Sequence, residues 1–294
     1  MPDRRSFLSQ LGTAALALAA SPLTACRTAQ AGTLGGGSIY RNRKLRHIGL
    51  QLYTVRDAMQ RDLPGTLSRV AMTGYQEVEF AGYFGRKPAE IRALLAQSGL
   101  LAPSSHVGYP ELGDSWARTV NDAKVIGCQY VTVPWIDEKN RTTADGLRRV
   151  ADTFNQAAAQ AKAQGLAFAY HNHDFEFKPV EGVLPFDLLL ERTDPTLVKF
   201  EMDIYWVTKG GADPLAYLAK YPTRFTMVHA KDATAAPERA MVDVGSGTIN
   251  FRRIFAEDAN RGGYIQHVFV EHDQPADPMA SIRNSYEYLS KLTF

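Results

Sequence analysis

The sequence predicts a single-domain α/β fold, a (β/α)8 or TIM barrel, on three observations. Eight short apolar segments rich in Val, Ile, Phe and Tyr recur between residues 47 and 294 with helical stretches between them. That is the pattern of βα units around a parallel sheet. Several helical stretches end at a glycine just before the next strand, at Gly74, Gly99, Gly127, Gly165 and Gly262, and glycine closes a helix at low cost. Polar and ionisable residues gather at the carboxyl ends of the strands, where such barrels carry their active sites. An open doubly wound sheet is the competing architecture, but no Gly-rich dinucleotide turn follows the first strand. No residue-level internal repeat is visible.

The strands, in order, are HIGLQLYTV, YQEVEFAGY, LLAPSSHVG, QYVTVPWI, LAFAYHNHD, VKFEMDIYW, RFTMVHAKD and HVFVEHD. Helices are expected near Asp62–Thr73, Pro88–Ser98, Trp116–Gly127, Thr143–Gly165, Phe186–Arg192, Pro214–Lys220, Phe251–Arg261 and Pro278–Leu292.

Ahead of the barrel, residues 1–26 read as an export signal. Arg4 and Arg5 precede Ser6, Phe7 and Leu8, and an Ala/Leu run then leads to Cys26. The pattern resembles the twin-arginine signal that routes folded proteins out of the bacterial cytoplasm. The run from Leu11 to Ala20 is short of the ~20 residues that a membrane-spanning helix needs. Leu23-Thr24-Ala25-Cys26 resembles a lipobox, which makes Cys26 the expected site of lipidation, with residues 27–46 a flexible tether. The expected location is periplasmic or cell-envelope, with membrane contact only through that lipid anchor. Cys128 is the only other cysteine, so a lipidated Cys26 leaves no intramolecular disulfide. A net charge of +2 with 22% charged residues offers no electrostatic footprint for nucleic acid.

The strand ends present Gln51, Tyr53 and Arg56; Glu79; His106; Trp135; His171, His173 and Glu176; Asp203 and Trp206; His229, Lys231 and Asp232; and Glu271 and His272. Five of the seven histidines fall among them. Taken singly, Glu79, His106 or His272 reads equally well as a satisfied structural group, and Trp135 and Trp206 as packing residues. Lys231 beside Asp232 also reads as a surface ion pair, worth little. The convergence of Asp203, His229 and Glu271 on three successive strands is harder to assign to structure, and mixed oxygen and nitrogen donors suit Mn, Mg, Co or Zn.

MD at Asp203 with the following YW, HAKD at His229 and VEHD at Glu271 resemble the last three metal-bearing strands of the xylose-isomerase-like sugar isomerases and epimerases, a barrel superfamily that also contains endonuclease IV. The resemblance extends over the chain from LQLYTVRD through GYQEVEF and SSHVG. It implies one divalent metal ion held by residues of strands five to eight, with Asp203, His229 and Glu271 as three ligands. Strand five departs from the pattern: where the family commonly has Glu-Asn-His, this chain reads His171-Asn172-His173. Either His171 is the fourth ligand or Glu176 folds back to supply a carboxylate.

By the same resemblance the chain is expected to be a metal-dependent isomerase or epimerase of a free sugar or keto-sugar. It would work by proton abstraction next to a carbonyl through an enediolate. Glu271 would be one base, with Glu176 or His173 opposite and Lys231 assisting, while Gln51, Tyr53, Glu79, His106, Trp135 and Trp206 bind substrate. The same groups can expel a β-leaving group, giving a dehydratase or a lyase on a 3-keto-glycoside or inosose. A non-catalytic sugar-binding lipoprotein is the reading from a different class. The export signal makes an unphosphorylated sugar the expected substrate, and with the missing basic surface and the small number of ligand positions it disfavours a DNA-repair nuclease.

Overall fold

In a computed structural model that describes residues 39–294, eight parallel strands close into a barrel. They are β1 (Gly49–Gln51), β2 (Glu77–Phe80), β3 (Leu101–His106), β4 (Tyr130–Val133), β5 (Ala167–His171), β6 (Val198–Asp203), β7 (Phe225–Ala230) and β8 (His267–Val270). Each pairs with its neighbour in sequence, and β8 returns to β1 with Phe269 opposite Gly49. A Cβ on Gly49 would lie 2.4 Å from the Phe269 ring, so only glycine lets that ring fill the barrel at the closing seam.

Around the barrel run α1 (Arg56–Arg61), α2 (Leu63–Thr73), α3 (Pro88–Ser98), α4 (Trp116–Ile126), α5 (Ala144–Ala163), α6 (Pro185–Arg192), α7 (Ile204–Lys209), α8 (Pro214–Lys220), α9 (Phe251–Asn260) and α10 (Pro278–Lys291). All eight expected strands and all eight expected helices are present; α1 and α7 are additional. α7 begins where the sequence reads as continued strand, because the Asp203 carboxylate caps it by accepting from the Trp206 N–H at 2.9 Å.

Side chains alternate across a strand, and this sorts the residues into two layers. Phe168, Tyr170, Phe200, Met202, Val228, Val268 and Val270 join the main buried cluster with helix residues such as Phe154 and Phe186. Tyr130, Ala169, Met227 and Phe269 form a separate buried cluster, the apolar plug inside the barrel. Two residues further along their strands stand Thr132, His171, His229 and Glu271, so the polar site sits directly on that plug.

Residues 39–46 depart from the expected tether. Tyr40–Arg41 pairs antiparallel with Lys44–Leu45, Ile39 is buried, and the Phe294 N–H donates to the Arg43 carbonyl at 3.1 Å. The expected signal with Arg4, Arg5 and Cys26, and the tether up to residue 38, lie outside the described residues. Among the described residues no helix is long and apolar enough to cross a membrane, and Cys128 is a buried free thiol.

Candidate metal centre and active-site cavity

The ends of β5 to β8 bring His171, Asp203, His229 and Glu271 together. One donor atom from each lies within 4.8 Å of all the others, and all four residues are buried. Asp203 is aimed by two devices. Its Oδ1 is fixed by the cap on α7, and Asn172 grips its backbone, accepting from the Asp203 N–H at 3.0 Å. That leaves Oδ2 to face His171 Nε2 at 3.2 Å and Lys231 Nζ at 3.1 Å. In the run His171-Asn172-His173 the middle residue is therefore a staple between strands.

A second buried group lies against the first. Glu79 Oε2 and Glu201 Oε2 face His229 Nε2 at 2.7 and 3.1 Å and His106 Nε2 at 3.1 and 2.9 Å. Glu79 also accepts from Gln51 Nε2 at 2.8 Å and Ser104 Oγ at 2.5 Å. This corrects the sequence reading of Gln51 and Glu79 as substrate-binding residues. Both are fully buried, and their polar atoms are spent on each other and on the two histidines. Glu201, two residues before Asp203 on the same inner face, was missed; strand alternation alone would have indicated it.

The electrostatics follow from burial opposed by close partners. Burial raises Asp203, but Lys231 and His171 outweigh it and bring it to about 2. Burial likewise raises Glu271, yet Lys231 and His229 hold it well below the carboxylate range. Burial lowers His106, whereas Glu79 and Glu201 push it up to about 9. His171 is lowered, by burial and then by His229.

The donor set fits a divalent ion. Two carboxylates held ionised and two imidazoles converge without an apolar residue between them, and His171 Nδ1 and Glu201 Oε1 are buried with no hydrogen-bond partner. His229 presents Nδ1 to Glu271 Oε2 at 2.8 Å while Nε2 faces the two inner carboxylates. A carboxylate behind a ligating histidine fixes its tautomer and ring orientation. His171, Asp203, His229 and Glu271 can thus hold one metal ion, with Glu79 and Glu201 behind His229.

Above the cluster opens a cavity of about 580 Å³, within the range of small-molecule sites. His106, His171, His173, Lys231, Glu271 and Asp273 line its polar side, and Tyr53 and Trp135 stand at its rim. Lys231 Nζ reaches Glu271 Oε2 at 2.7 Å, Asp203 Oδ2 at 3.1 Å and Asp273 Oδ1 at 2.8 Å. It is no surface ion pair: Lys231 and Asp232 are both buried and face different partners. Trp206 lies behind the lining, its ring 5.5 Å from that of His173. Asp273 was missed by the sequence reading, although it closes the VEHD motif.

Glu176 does not join the centre. It is fully buried and bonds to the Tyr170 hydroxyl and, at 2.9 Å, to the His173 N–H. Tyr170 packs into the outer layer against Phe154 and Phe200. Both expected roles of Glu176, opposite base and alternative fourth ligand, are corrected by this placement, since its oxygens are held outside the ligand cluster. Burial pushes its pKa up to about 7. Its native value thus lies above its unfolded one, so the stability tied to its neutral form is present in acid and is lost as pH rises through about 7. Glu176→Gln should keep the metal and retain turnover within about tenfold, and should flatten stability between about pH 5 and 8 in urea titrations. Loss of metal in that variant would restore Glu176 as a ligand.

A closed parallel barrel with a mixed carboxylate and imidazole cluster under a polar cavity defines the class: a (β/α)8 barrel whose strand ends carry donors that could hold a metal ion. The chain belongs to the xylose isomerase-like TIM barrel family, whose model matches residues 67–292. A protein of Geobacillus kaustophilus named inosose dehydratase is 29% identical over 286 residues, covering 79% of this chain and 90% of its own. A crystal structure from Parabacteroides distasonis, a sugar phosphate isomerase/epimerase, is 32% identical with a TM-score of 0.75, covering 84% of this chain and 98% of that one. An L-ribulose 3-epimerase, 16% identical with a TM-score of 0.64 over 82% of this chain and 92% of its own, shares the fold.

Proposed function

We propose that the protein is a divalent-metal-dependent lyase that removes a β-oxygen substituent, as water or an alcohol, from a keto-sugar or a keto-cyclitol of the inosose type. The observation that carries this reading is the chain Glu271–Lys231–Asp273, linked at 2.7 and 2.8 Å, on neighbouring strand ends along the cavity. The sequence reading put isomerisation first, with Glu176 as the opposite carboxylate; with Glu176 turned away and histidines on β5, one linked acid–base set remains. The inosose dehydratase name of a relative spanning most of both chains supports the same choice.

When bound, a divalent ion at His171, Asp203, His229 and Glu271 would supply Lewis acidity at the substrate carbonyl. Glu271 Oε2 is engaged by His229 and Lys231, so Oε1 is the atom that takes the proton from the carbon beside the carbonyl. The Lys231 ammonium, kept protonated by three carboxylates against the effect of burial, donates to the departing β-oxygen. The proton with which that oxygen leaves comes from this ammonium, which Asp273 Oδ1 holds at 2.8 Å. The C–H electron pair becomes the new double bond, the C–O pair departs with the protonated oxygen, and the proton taken by Glu271 returns to Lys231, which lies 2.7 Å from Glu271 Oε2. Tyr53 and Trp135 at the rim offer aromatic faces to a sugar ring.

Epimerisation is the second reading, and one observation favours it. His173 lines the cavity, and burial, His171 and Lys231 hold it neutral, as an opposing base requires. Incubation of metal-loaded protein with inososes, ketoses and 3-keto-glycosides in deuterated water separates the two. The lyase reading expects an enone or diketone product and a released water or alcohol. Deuterium wash-in with no elimination on any substrate would transfer the assignment to epimerisation. Neither event would leave a sugar-binding protein.

A further inference from the structure

Among the described residues, the large hydrophobic side chains that stay exposed fall into two groups. Tyr53 and Trp135 stand at the cavity rim; Met72, Leu101 and Tyr264 do not. Met72 is next to last in α2, Leu101 opens β3, and Tyr264 lies three residues before β8. All three therefore sit at the end of the barrel where the strands begin, opposite the cavity. The hairpin of residues 40–45 belongs to the same end, because it leads through Arg46 and His47 into β1.

That hairpin is basic and firmly seated. Arg41, Arg43, Lys44 and Arg46 are all exposed, four cations within six residues, a local cluster that the net charge of +2 conceals. Among the described residues none of the four forms an ion pair, although Arg43 donates to Asn260 Oδ1 at 3.2 Å. In the ladder Tyr40 pairs with Leu45 and Arg41 with Lys44. The apolar pair packs on the core, where the Tyr40 ring meets Phe255 and Phe294 and its hydroxyl donates to Asp258 Oδ2 at 2.8 Å. The basic pair is left facing outward. Like charges directly opposite each other destabilise a ladder. Asn42 and Arg43 form the turn with φ of 52° and 60°, a conformation in which glycine is the usual second residue. Folding thus accounts for neither the Arg41–Lys44 pair nor Arg43.

We propose that this end of the barrel docks on an anionic bilayer surface, with the basic hairpin against lipid phosphates and Met72, Leu101 and Tyr264 in the headgroup region. The contact goes beyond the lipid anchor expected at Cys26 and does not depend on it, nor on the lyase reading. Twelve residues separate Cys26 from Ile39, so a lipid there would tie the chain to a membrane through this same end. The apolar side chains at this end favour a bilayer over a nucleic acid, whose backbone offers them nothing. Docked in this way, the cavity opens away from the bilayer.

Cosedimentation with vesicles tests the proposal on residues 26–294 carrying Cys26→Ala, which contain the whole closed barrel and neither lipid nor signal segment. Vesicles of phosphatidylglycerol mixed with phosphatidylcholine should bind the protein, and phosphatidylcholine alone should not. Each Lys or Arg at an anionic surface strengthens partition about fivefold, so Arg41→Gln with Lys44→Gln should weaken binding about 25-fold. Salt at about 1 M, where charges are screened within about 3 Å, should abolish it. Arg148→Gln with Arg149→Gln removes as many exposed charges from α5 and should leave binding within about twofold. Relief of the like-charge pair should keep the melting temperature of the hairpin variant at or above that of its parent. Should it fall instead, Arg46→Gln, outside the ladder, should still weaken binding about fivefold. Absence of binding to anionic vesicles overturns the proposal, as does equal binding to both kinds of vesicle or equal loss in the two double variants. Hairpin-dependent binding to a DNA duplex with none to vesicles would assign the patch to a nucleic acid and overturn it too.

Discussion

Asp203→Ala should abolish metal binding and turnover together, while Asp203→Asn should lose the metal and keep the fold fully intact. The two variants separate the two jobs of one side chain. Oδ2 belongs to the cluster of His171, His229 and Glu271, and Oδ1 caps α7 through the Trp206 N–H. Alanine loses both, so about 1 kcal/mol of stability should go with the cap. Asparagine retains an oxygen for the cap but presents an amide where an anionic donor stood. Metal affinity should fall by more than the ~10–100-fold typical of changes behind the ligands, read by elemental analysis after dialysis and by competition with a chromophoric chelator. Full metal occupancy in Asp203→Asn would remove Asp203 from the ligand set.

The barrel was legible because each strand is a local apolar run and each helix is bounded by signals close in sequence. The convergence of His171, Asp203, His229 and Glu271 was legible for a related reason: within a strand, period-two alternation fixes which face a side chain takes. That rule stops where the strand stops. Beyond His173 the chain enters a short 3-10 turn, Phe175–Phe177, which swings Glu176 out to Tyr170, and no spacing argument from His171 anticipates it. Depth in the barrel was equally hidden. Gln51 and Glu79 stand opposite each other in register and share a hydrogen bond below the cavity, a fact set by strand stagger. The hairpin at residues 40–45 depends on contact with Phe294 at the far end of the chain, which no local pattern carries. α7 was read as strand because its aromatic residues favour one; the cap from Asp203 decides otherwise.

Lys231→Met should destabilise the metal-free protein strongly and be rescued by metal more than wild type is. The ammonium touches Asp203 Oδ2 and Glu271 Oε2, oxygens of the very carboxylates that the ion would bind, so the lysine and the ion neutralise one buried group of charges. Removing a buried partner leaves its counter-charges uncompensated, which costs about 3–5 kcal/mol. A divalent ion restores part of that balance, so the rise in melting temperature on adding metal should be larger in Lys231→Met than in wild type. Turnover should nonetheless stay low after rescue, by about 10²–10⁴-fold, because the departing oxygen has lost its proton donor. Calorimetry with and without metal checks the first part, and elimination kinetics at saturating metal check the second. Equal metal-induced shifts in the two proteins would mean that Lys231 and the ion do not share those carboxylates. Wild-type turnover in the rescued variant would take Lys231 out of the proposed proton path and leave it a counter-ion alone.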